Sequence, residues 1–164
     1  MKIFKFFALS LAALAFTACD KDDNKNVQQT EIAGVYTGKY DFKVNGTDQT
    51  GLEVADMTIE KIDKDYCRVK FCDVPAAPGM AMQNIVVDSV KYAFSEKDGY
   101  KLNATNAQAT GSFMGRAYTF DRLTTSFAGK VKDKKFDFDF NFTLVVAKMN
   151  ITHKVEAKFN GLKK

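Results

Sequence analysis

Residues 136–144 read Phe-Asp-Phe-Asp-Phe-Asn-Phe-Thr-Leu, so an apolar side chain occupies every second position and a polar one lies between. Successive side chains of a β-strand point to opposite faces, and a period of two therefore predicts a strand with one buried and one wet face. Residues 36–44 and 151–159 alternate in the same way, with Gly38 as the one gap in the apolar face of the first segment. These segments predict a sheet that is covered on one side only.

Segments with weaker alternation fill the middle of the chain and end at short turn signals such as Asn45-Gly46 and Lys97-Asp98-Gly99. Links this short make neighbouring strands antiparallel, because a parallel pair needs a crossover of about a dozen residues or more. Sequential hairpins favour an all-β, antiparallel up-and-down barrel of about eight strands over a β-sandwich. The weaker segments cover 52–61, 66–74, 85–94, 99–105, 112–120 and 123–131.

The composition is that of one folded domain, since 46% of the 164 residues are apolar and 27% are charged. A net charge of +4 is small for this length and argues against a dense basic face that binds nucleic acid. The chain has 15 Phe, 6 Tyr and no Trp, which predicts an interior of phenyl rings.

The first residues predict a segment that the mature protein loses. Two lysines within residues 1–5 precede an uncharged apolar stretch over 6–18, which is too short to span a bilayer and is typical of a secretory signal peptide. Phe16-Thr17-Ala18-Cys19 resembles the bacterial lipobox, in which the cysteine is acylated and becomes the new N-terminus. We predict a signal peptide at 1–18 and lipidation of Cys19, with a secreted protein that keeps an unmodified cysteine as the alternative.

Residues 20–32 are mostly Asp, Lys, Asn and Gln without a hydrophobic period, so 19–32 is predicted to be the lipidated cysteine and a flexible tether. A coil of that length spans about 20 Å on average. The acidic run after Cys19 resembles the export signal with which one large group of Gram-negative bacteria places lipoproteins on the cell surface. We expect an outer-membrane lipoprotein, held by its N-terminal lipid and facing the surface rather than the periplasm.

Short glycine-centred motifs at both ends of residues 33–164 carry a family resemblance, which extends over 32–161. They resemble the calycin-like β-barrel lipoproteins of Gram-negative bacteria, which are related in architecture to lipocalins. The resemblance implies a calycin-like barrel domain over 33–164 and brings no established catalytic residues. The motifs are Ile32-Ala33-Gly34-Val35-Tyr36-Thr37-Gly38, Val44-Asn45-Gly46-Thr47, Phe127-Ala128-Gly129-Lys130-Val131 and the segment 155–161.

Tyr36 stands where lipocalins carry the Trp of a Gly-x-Trp motif at the start of the first strand. The resemblance implies that Tyr36 plugs one end of the barrel. Its hydroxyl needs a hydrogen-bond partner if it is buried.

Cys67 and Cys72 are predicted to be free thiols. Five residues along one strand separate their Cα atoms by about 16 Å and place the side chains on opposite faces, whereas a disulfide needs less than about 7 Å. We expect Cys67 to share a face with Val69 and Phe71.

His153 is the only histidine, and its place on the apolar face of 151–159 indicates packing rather than catalysis. A catalytic triad would need this residue as its base, and a zinc site would need further ligands that the sequence does not group with it. We therefore expect no enzymatic activity, no metal and no cofactor. Asp88-Ser89-Val90 resembles a bacterial O-glycosylation site, with Ser89 as its acceptor.

Two classes of function fit the sequence. We expect the first, a non-catalytic binding module whose barrel holds a small apolar or amphipathic ligand. The alternative is a solid-core protein that binds a protein partner as an inhibitor or as an accessory subunit of an outer-membrane assembly. They differ in the empty volume inside the barrel. The candidate ligand-contacting residues are Tyr36, Tyr40, Phe42, Phe71, Met80, Met82, Phe138, Phe140 and His153.

The longest link, 75–83, contains both prolines together with Met80 and Met82. It is predicted to be a lid or contact surface at a barrel mouth, or a hydrophobic cap that closes one end. A second loose stretch is predicted over 106–115.

Overall fold

A computed structural model describes residues 32–77, 80–120, 125–146 and 151–164. The predicted signal peptide, Cys19 and the tether before Ile32 lie outside the described residues. Within the described ranges, no helix is long and apolar enough to cross a lipid bilayer.

The elements that begin and end within these ranges are all β-strands. In chain order they are β1 (Gly34–Val44), β2 (Thr47–Asp48), β3 (Leu52–Lys61), β4 (Tyr66–Lys70), β5 (Val74–Ala77), β6 (Met80–Ser95), β7 (Gly99–Thr105), β8 (Ala109–Phe113), β9 (Arg116–Thr119), β10 (Ser126–Lys132), β11 (Lys135–Val146) and β12 (Ile151–Lys163).

Eight of these strands close into a barrel in the order β1-β12-β11-β10-β7-β6-β4-β3 and back to β1. All of the pairs are antiparallel. The first and last strands of the chain pair along their length, from Tyr36 opposite Lys163 to Val44 opposite Val155. The predicted all-β barrel of eight antiparallel strands is therefore confirmed.

Different turns and strand ends lie at the two ends of the barrel. The tether end is where β1 begins at Gly34, where the turns β6–β7 and β10–β11 lie, and where β12 ends at Lys163. The far end carries the hairpin β8–β9 and the start of β12. The predicted tether thus joins the domain at one defined end.

Three predictions about the middle of the chain are wrong. The predicted single strand 66–74 is divided, because β4 ends at Lys70 and Val74 begins β5. Residues 75–77 and 80–83 of the predicted long link are strands, because β5 pairs with the start of β6, with Val74 opposite Met82. The predicted single strand 112–120 is a hairpin, β8–β9, that turns at Met114 and Gly115, both of which have left-handed φ values of 50° and 74°.

The stretch 106–115, predicted to be loose, contains β8. Strands β7 and β8 pair with successive parts of the same long strand, β6, and Asn106 with a φ of 54° lies between them. The break between β7 and β8 is a local bend, and both strands run antiparallel to β6. The sequence therefore resembles a loop at this point although the chain keeps its direction.

Aromatic rings fill the middle of the barrel. Phe71 follows β4, which lies four strands away from β11 in the closed order and therefore on the opposite wall. Its ring centroid nevertheless lies 5.1 Å from that of Phe138 and 4.8 Å from that of Phe140, both on β11. Rings from opposite walls are thus in contact across the barrel axis.

The ring contacts continue toward both ends. Phe136 lies 5.2 Å from Tyr36 at the tether end, and Phe142 stacks on Phe120 at 4.3 Å toward the far end. Eleven side chains whose positions in the alternation or beside it predict an inward direction are buried: Tyr36, Tyr40, Phe42, Val69, Phe71, Phe127, Phe136, Phe138, Phe140, Phe142 and Phe159.

We expect Phe71→Ala to lower the free energy of unfolding by about 3–5 kcal/mol, because it removes the ring that joins the two walls and leaves a cavity. Urea denaturation followed by circular dichroism measures this loss. The matched control is Phe94→Ala, whose ring is 42% exposed and whose loss should be about 1 kcal/mol. Equal small losses in both variants would show that the rings do not fill the barrel.

Candidate functional site

The structure gathers most of the predicted ligand-contacting side chains into one packed core. None of the seven that it describes there is more than 7% exposed: Tyr36, Tyr40, Phe42, Phe71, Met82, Phe138 and Phe140. Met80 begins β6, and its side chain lies outside what the structure describes. A role of these residues in ligand binding stays a prediction.

Tyr36 plugs the tether end, as its position in the family resemblance implied. Its side chain is fully buried, and its hydroxyl donates a hydrogen bond of 2.7 Å to the backbone carbonyl of Ile32. Burial raises the pKa of Tyr36 well above the ordinary value of 10.0, so the phenol is neutral. This bond fastens the start of the domain to the core.

Tyr40 is as buried as Tyr36, but its hydroxyl differs in hydrogen bonding. Its ring stacks on Phe42 at 5.9 Å and lies 6.3 Å from Phe138. Its hydroxyl has no hydrogen-bond partner among the described residues, which is rare for a buried polar group. Burial raises the pKa of Tyr40 far above 10.0, so the group is a neutral hydroxyl inside the apolar core.

His153 lies at the far end on β12, away from the tyrosines at the core. It is half-buried, and its Nδ1 lies 3.3 Å from the side-chain amide nitrogen of Asn45. The Asn45 side-chain oxygen also accepts a hydrogen bond of 2.9 Å from the backbone N–H of Lys154. His153 is therefore part of the contact between the β1–β2 turn and β12.

Cys67 and Cys72 are free, as predicted. Cys67 is fully buried on the face of Val69, whereas Cys72 follows β4 and is half-buried. Burial raises the pKa of Cys67 to about 12, and burial and then Asp73 raise the pKa of Cys72 to about 11. Both thiols are protonated at neutral pH and are poor nucleophiles.

Ser89 is exposed and has a left-handed φ of 58° within β6. The pairing of β6 with β4 shifts register there, between Val87 and Val90. The preceding Asp88 accepts a hydrogen bond from Arg68. O-glycosylation of Ser89 stays a prediction. Elsewhere, no three Asp, Glu, His or Cys residues in the described ranges are grouped so that they could hold a metal ion.

A shallow groove of about 500 Å³ runs over the outer wall formed by β1, β10, β11 and β12. We call it the outer groove. Small residues, Ala128 and Gly129, form part of its floor on β10. The lining residues are Lys39, Asp41, Ala128, Gly129, Lys130, Asp137, Phe138, Asp139, Lys158, Phe159 and Asn160.

Opposite charges alternate across the strands of the outer groove. Lys158 lies directly opposite Asp139 on one side and Asp41 on the other, and its Nζ is 3.5 Å from an oxygen of Asp139. Exposed pairs of this kind contribute little to stability. The fold of the barrel therefore does not depend on these charges. The sequence assigned Asp137 and Asp139 only to a wet face, because it did not show which strands lie beside β11.

A second concave surface lies at the tether end, between the turns β6–β7 and β10–β11, with a volume of about 410 Å³. We call it the tether-end pocket. Asp133 and Lys134 form the β10–β11 turn with left-handed φ values of 50° and 65°, as two-residue hairpin turns require. The lining residues are Phe94, Glu96, Gly99, Tyr100, Val131, Lys132, Asp133, Lys134 and Lys163. Sequence reasoning did not find this pocket, since its parts come from three separate segments.

The sequence profile of the calycin-like β-barrel domain matches residues 32–162, which is nearly the whole barrel. The chain belongs to this calycin-like family. A solved structure from Bacteroides fragilis, of a candidate outer membrane protein, has a similar fold with a TM-score of 0.55 at 14% identity. The similarity covers 83% of this chain but only 52% of that one. A comparison with curated proteins found no match.

Tyr36 and Tyr40 give this calycin-like barrel a matched pair of tests. Tyr36→Phe should lower the free energy of unfolding by about 1 kcal/mol, because it removes the bond to Ile32. Tyr40→Phe should leave stability unchanged or raise it by about 1 kcal/mol, because it removes a hydroxyl without a described partner. Urea denaturation of both variants measures the difference. A large loss in Tyr40→Phe would reveal a partner for that hydroxyl.

Proposed function

We propose that this calycin-like protein is a membrane-anchored, non-catalytic binding module that acts through the outside of its barrel. Its partner is a polypeptide segment that carries both acidic and basic side chains and lies in the outer groove. This is the solid-core class of function, in which the barrel is a rigid support for a binding surface.

The observation that carries the proposal is the contact of Phe71 with Phe138 and Phe140 across the barrel axis. A ligand site for a small apolar molecule needs a cavity of some 300 Å³ or more. An eight-stranded barrel is wide enough either to be filled by side chains or to hold one small ligand. With rings of opposite walls in contact, the middle of this barrel is occupied by its own residues.

The outer groove supports a partner of mixed charge. Asp41, Asp137 and Asp139 alternate with Lys39, Lys130 and Lys158 over four neighbouring strands. Complementary charges on a partner would fix its register and speed its association. The small side chain of Ala128, which faces outward on β10, lets a second backbone approach the floor.

Anchoring in the outer membrane is supported by the predicted lipidation of Cys19 and by the fold shared with the candidate outer membrane protein of Bacteroides fragilis. We infer that the lipid holds the barrel at the cell surface, in line with the acidic run after Cys19. A non-catalytic role is supported by the protonated thiols and by His153, which is held at the far end by Asn45.

One observation favours the other class of function, a ligand inside the barrel. The buried Tyr40 hydroxyl without a described partner marks a place where the polar head of a ligand would be bound. The two classes can be separated by direct titration.

We expect the Cys19→Ser chain without its signal peptide to show no saturable binding of a fluorescent long-chain fatty acid, because rings fill the barrel. Fluorescence titration measures this, and Phe71→Ala should gain binding because it opens space beside Phe138. A stoichiometric complex of the unmutated barrel, weakened by Tyr40→Phe, would instead establish the interior ligand site.

Site-specific photocrosslinking in the native host tests the outer groove. A photoreactive residue at Ala128, on the groove floor, should give a discrete protein adduct that is lost in Asp137→Lys/Asp139→Lys. The control position is Lys91, which is exposed on β6, on the opposite wall. The same adduct from both positions, or none from Ala128, would contradict a partner in the groove.

A further inference from the structure

The tether-end pocket combines an apolar floor with a basic rim. Tyr100 and Val131 are buried at its base, and the ring of Phe94 lies 5.0 Å from that of Tyr100 while remaining 42% exposed. Lys132, Lys134 and Lys163 line its opening. Such a surface fits a group that is anionic at one end and apolar beside it.

Positive charge predominates around this opening. The segments 96–98, 132–135 and 163–164 contain six lysines and three carboxylates. One of the carboxylates, Asp98, is already held by Lys101 at 2.6 Å and faces Lys130 at 4.0 Å. The two others, Glu96 and Asp133, line the pocket itself. Lys135 and Lys164 are paired with Asp137 at 3.4 Å and Asp56 at 2.8 Å, so the excess of positive charge at this end is small.

Exposed apolar side chains lie beside the lysines. Leu162 is 62% exposed, and it lies opposite Lys135 at the start of β11. Together with Phe94 it places two large apolar groups at the tether end. Large apolar groups next to basic ones are typical of surfaces that lie in the interface of a lipid bilayer.

The chain enters the described structure at this same end. Ile32 is fully buried and accepts the hydrogen bond of Tyr36, which lies opposite Lys163. The tether that the sequence predicts after Cys19, residues 20–32, has thirteen residues, and a flexible coil of that length would span about 20 Å. A lipid on Cys19 would therefore keep the tether end, rather than the far end, close to the membrane.

We propose that the tether end docks on the anionic surface of the membrane that holds Cys19, with a lipid phosphate in the tether-end pocket. Lys134 and Lys163 bind the phosphate, and Phe94 and Leu162 lie among the headgroups. This proposal rests on the lipid anchor of the proposed function. Docking orients the barrel so that its tether end faces the membrane and its far end points away. The outer groove lies on the wall of the barrel and stays open to a partner.

The chain has no Trp, so a single introduced Trp reports membrane contact. Phe94→Trp is compared with Met114→Trp, which lies in the β8–β9 turn at the far end and replaces a side chain that is 68% exposed. The lipidated full chain is reconstituted in vesicles of phosphatidylcholine alone or with added phosphatidylglycerol. We expect the emission of Phe94→Trp to move to shorter wavelength and to be quenched by brominated lipid in the anionic vesicles, and that of Met114→Trp to stay unchanged.

Lysine variants test the charge. Lys134→Gln and Lys163→Gln should each lower the ratio of docked to undocked protein about fivefold, the effect of one basic residue near an anionic surface. Lys43→Gln and Lys154→Gln, at the far end of β1 and β12 and outside the outer groove, are the matched controls and should have no effect. If Phe94→Trp disturbs folding, as judged by circular dichroism, Leu162→Trp serves as the probe at the same end.

The outcomes separate this proposal from the proposed function. Flotation with phosphatidylcholine vesicles that depends on Cys19 tests the anchor alone, and its absence would overturn the anchor. Docking is overturned if the Trp probes at both ends respond alike in anionic vesicles. It is also overturned if Phe94→Trp responds to inorganic phosphate but not to vesicles, since the pocket would then bind a soluble anion. Weak binding of the Cys19→Ser chain to anionic vesicles, lost in Lys134→Gln/Lys163→Gln, would support docking even without an anchor.

Discussion

The contact of the Phe71 ring with Phe138 and Phe140 joins opposite walls of the barrel, and the other features of the molecule depend on it. Close packing of rings leaves little room to shift one wall against the other without losing contacts. The alternation of β11 also opposes a shift in strand register, because a slip of one residue would turn its four phenyl rings toward the solvent. The interior thus fixes the register of the strands and, with it, the surface that the barrel presents outside.

Because side chains fill the interior, the candidate binding surfaces lie on the outer wall and at the ends of the barrel. The outer groove lies on four strands of the wall, whereas the tether-end pocket lies between two turns and the end of β12. Their contents differ as well, since the groove has alternating charges and the pocket has lysines beside exposed apolar groups. One surface can therefore hold the molecule in place while the other remains free to bind.

Strand alternation predicted much of the fold but little of the site. It placed the rings of β11 inward and predicted a strand at 99–105, where β7 lies. It failed at 112–120, because Met114-Gly115 is a weak turn signal and the chain reverses there only through two left-handed residues. The outer groove could not be predicted, since Asp41, Asp139 and Lys158 become neighbours only through the pairing of three strands.

The sequence alone determined that the chain forms antiparallel strands with phenyl rings on one face, because side-chain direction in a strand follows directly from position. It also predicted that Cys67 and Cys72 do not pair, and both are free although Cys72 lies beyond the end of β4. Whether the barrel is filled, and which end the tether joins, was decided only by the tertiary structure. Both depend on residues far apart in the chain, Phe71 opposite β11 and Tyr36 opposite Lys163, whose meeting requires the closed sheet.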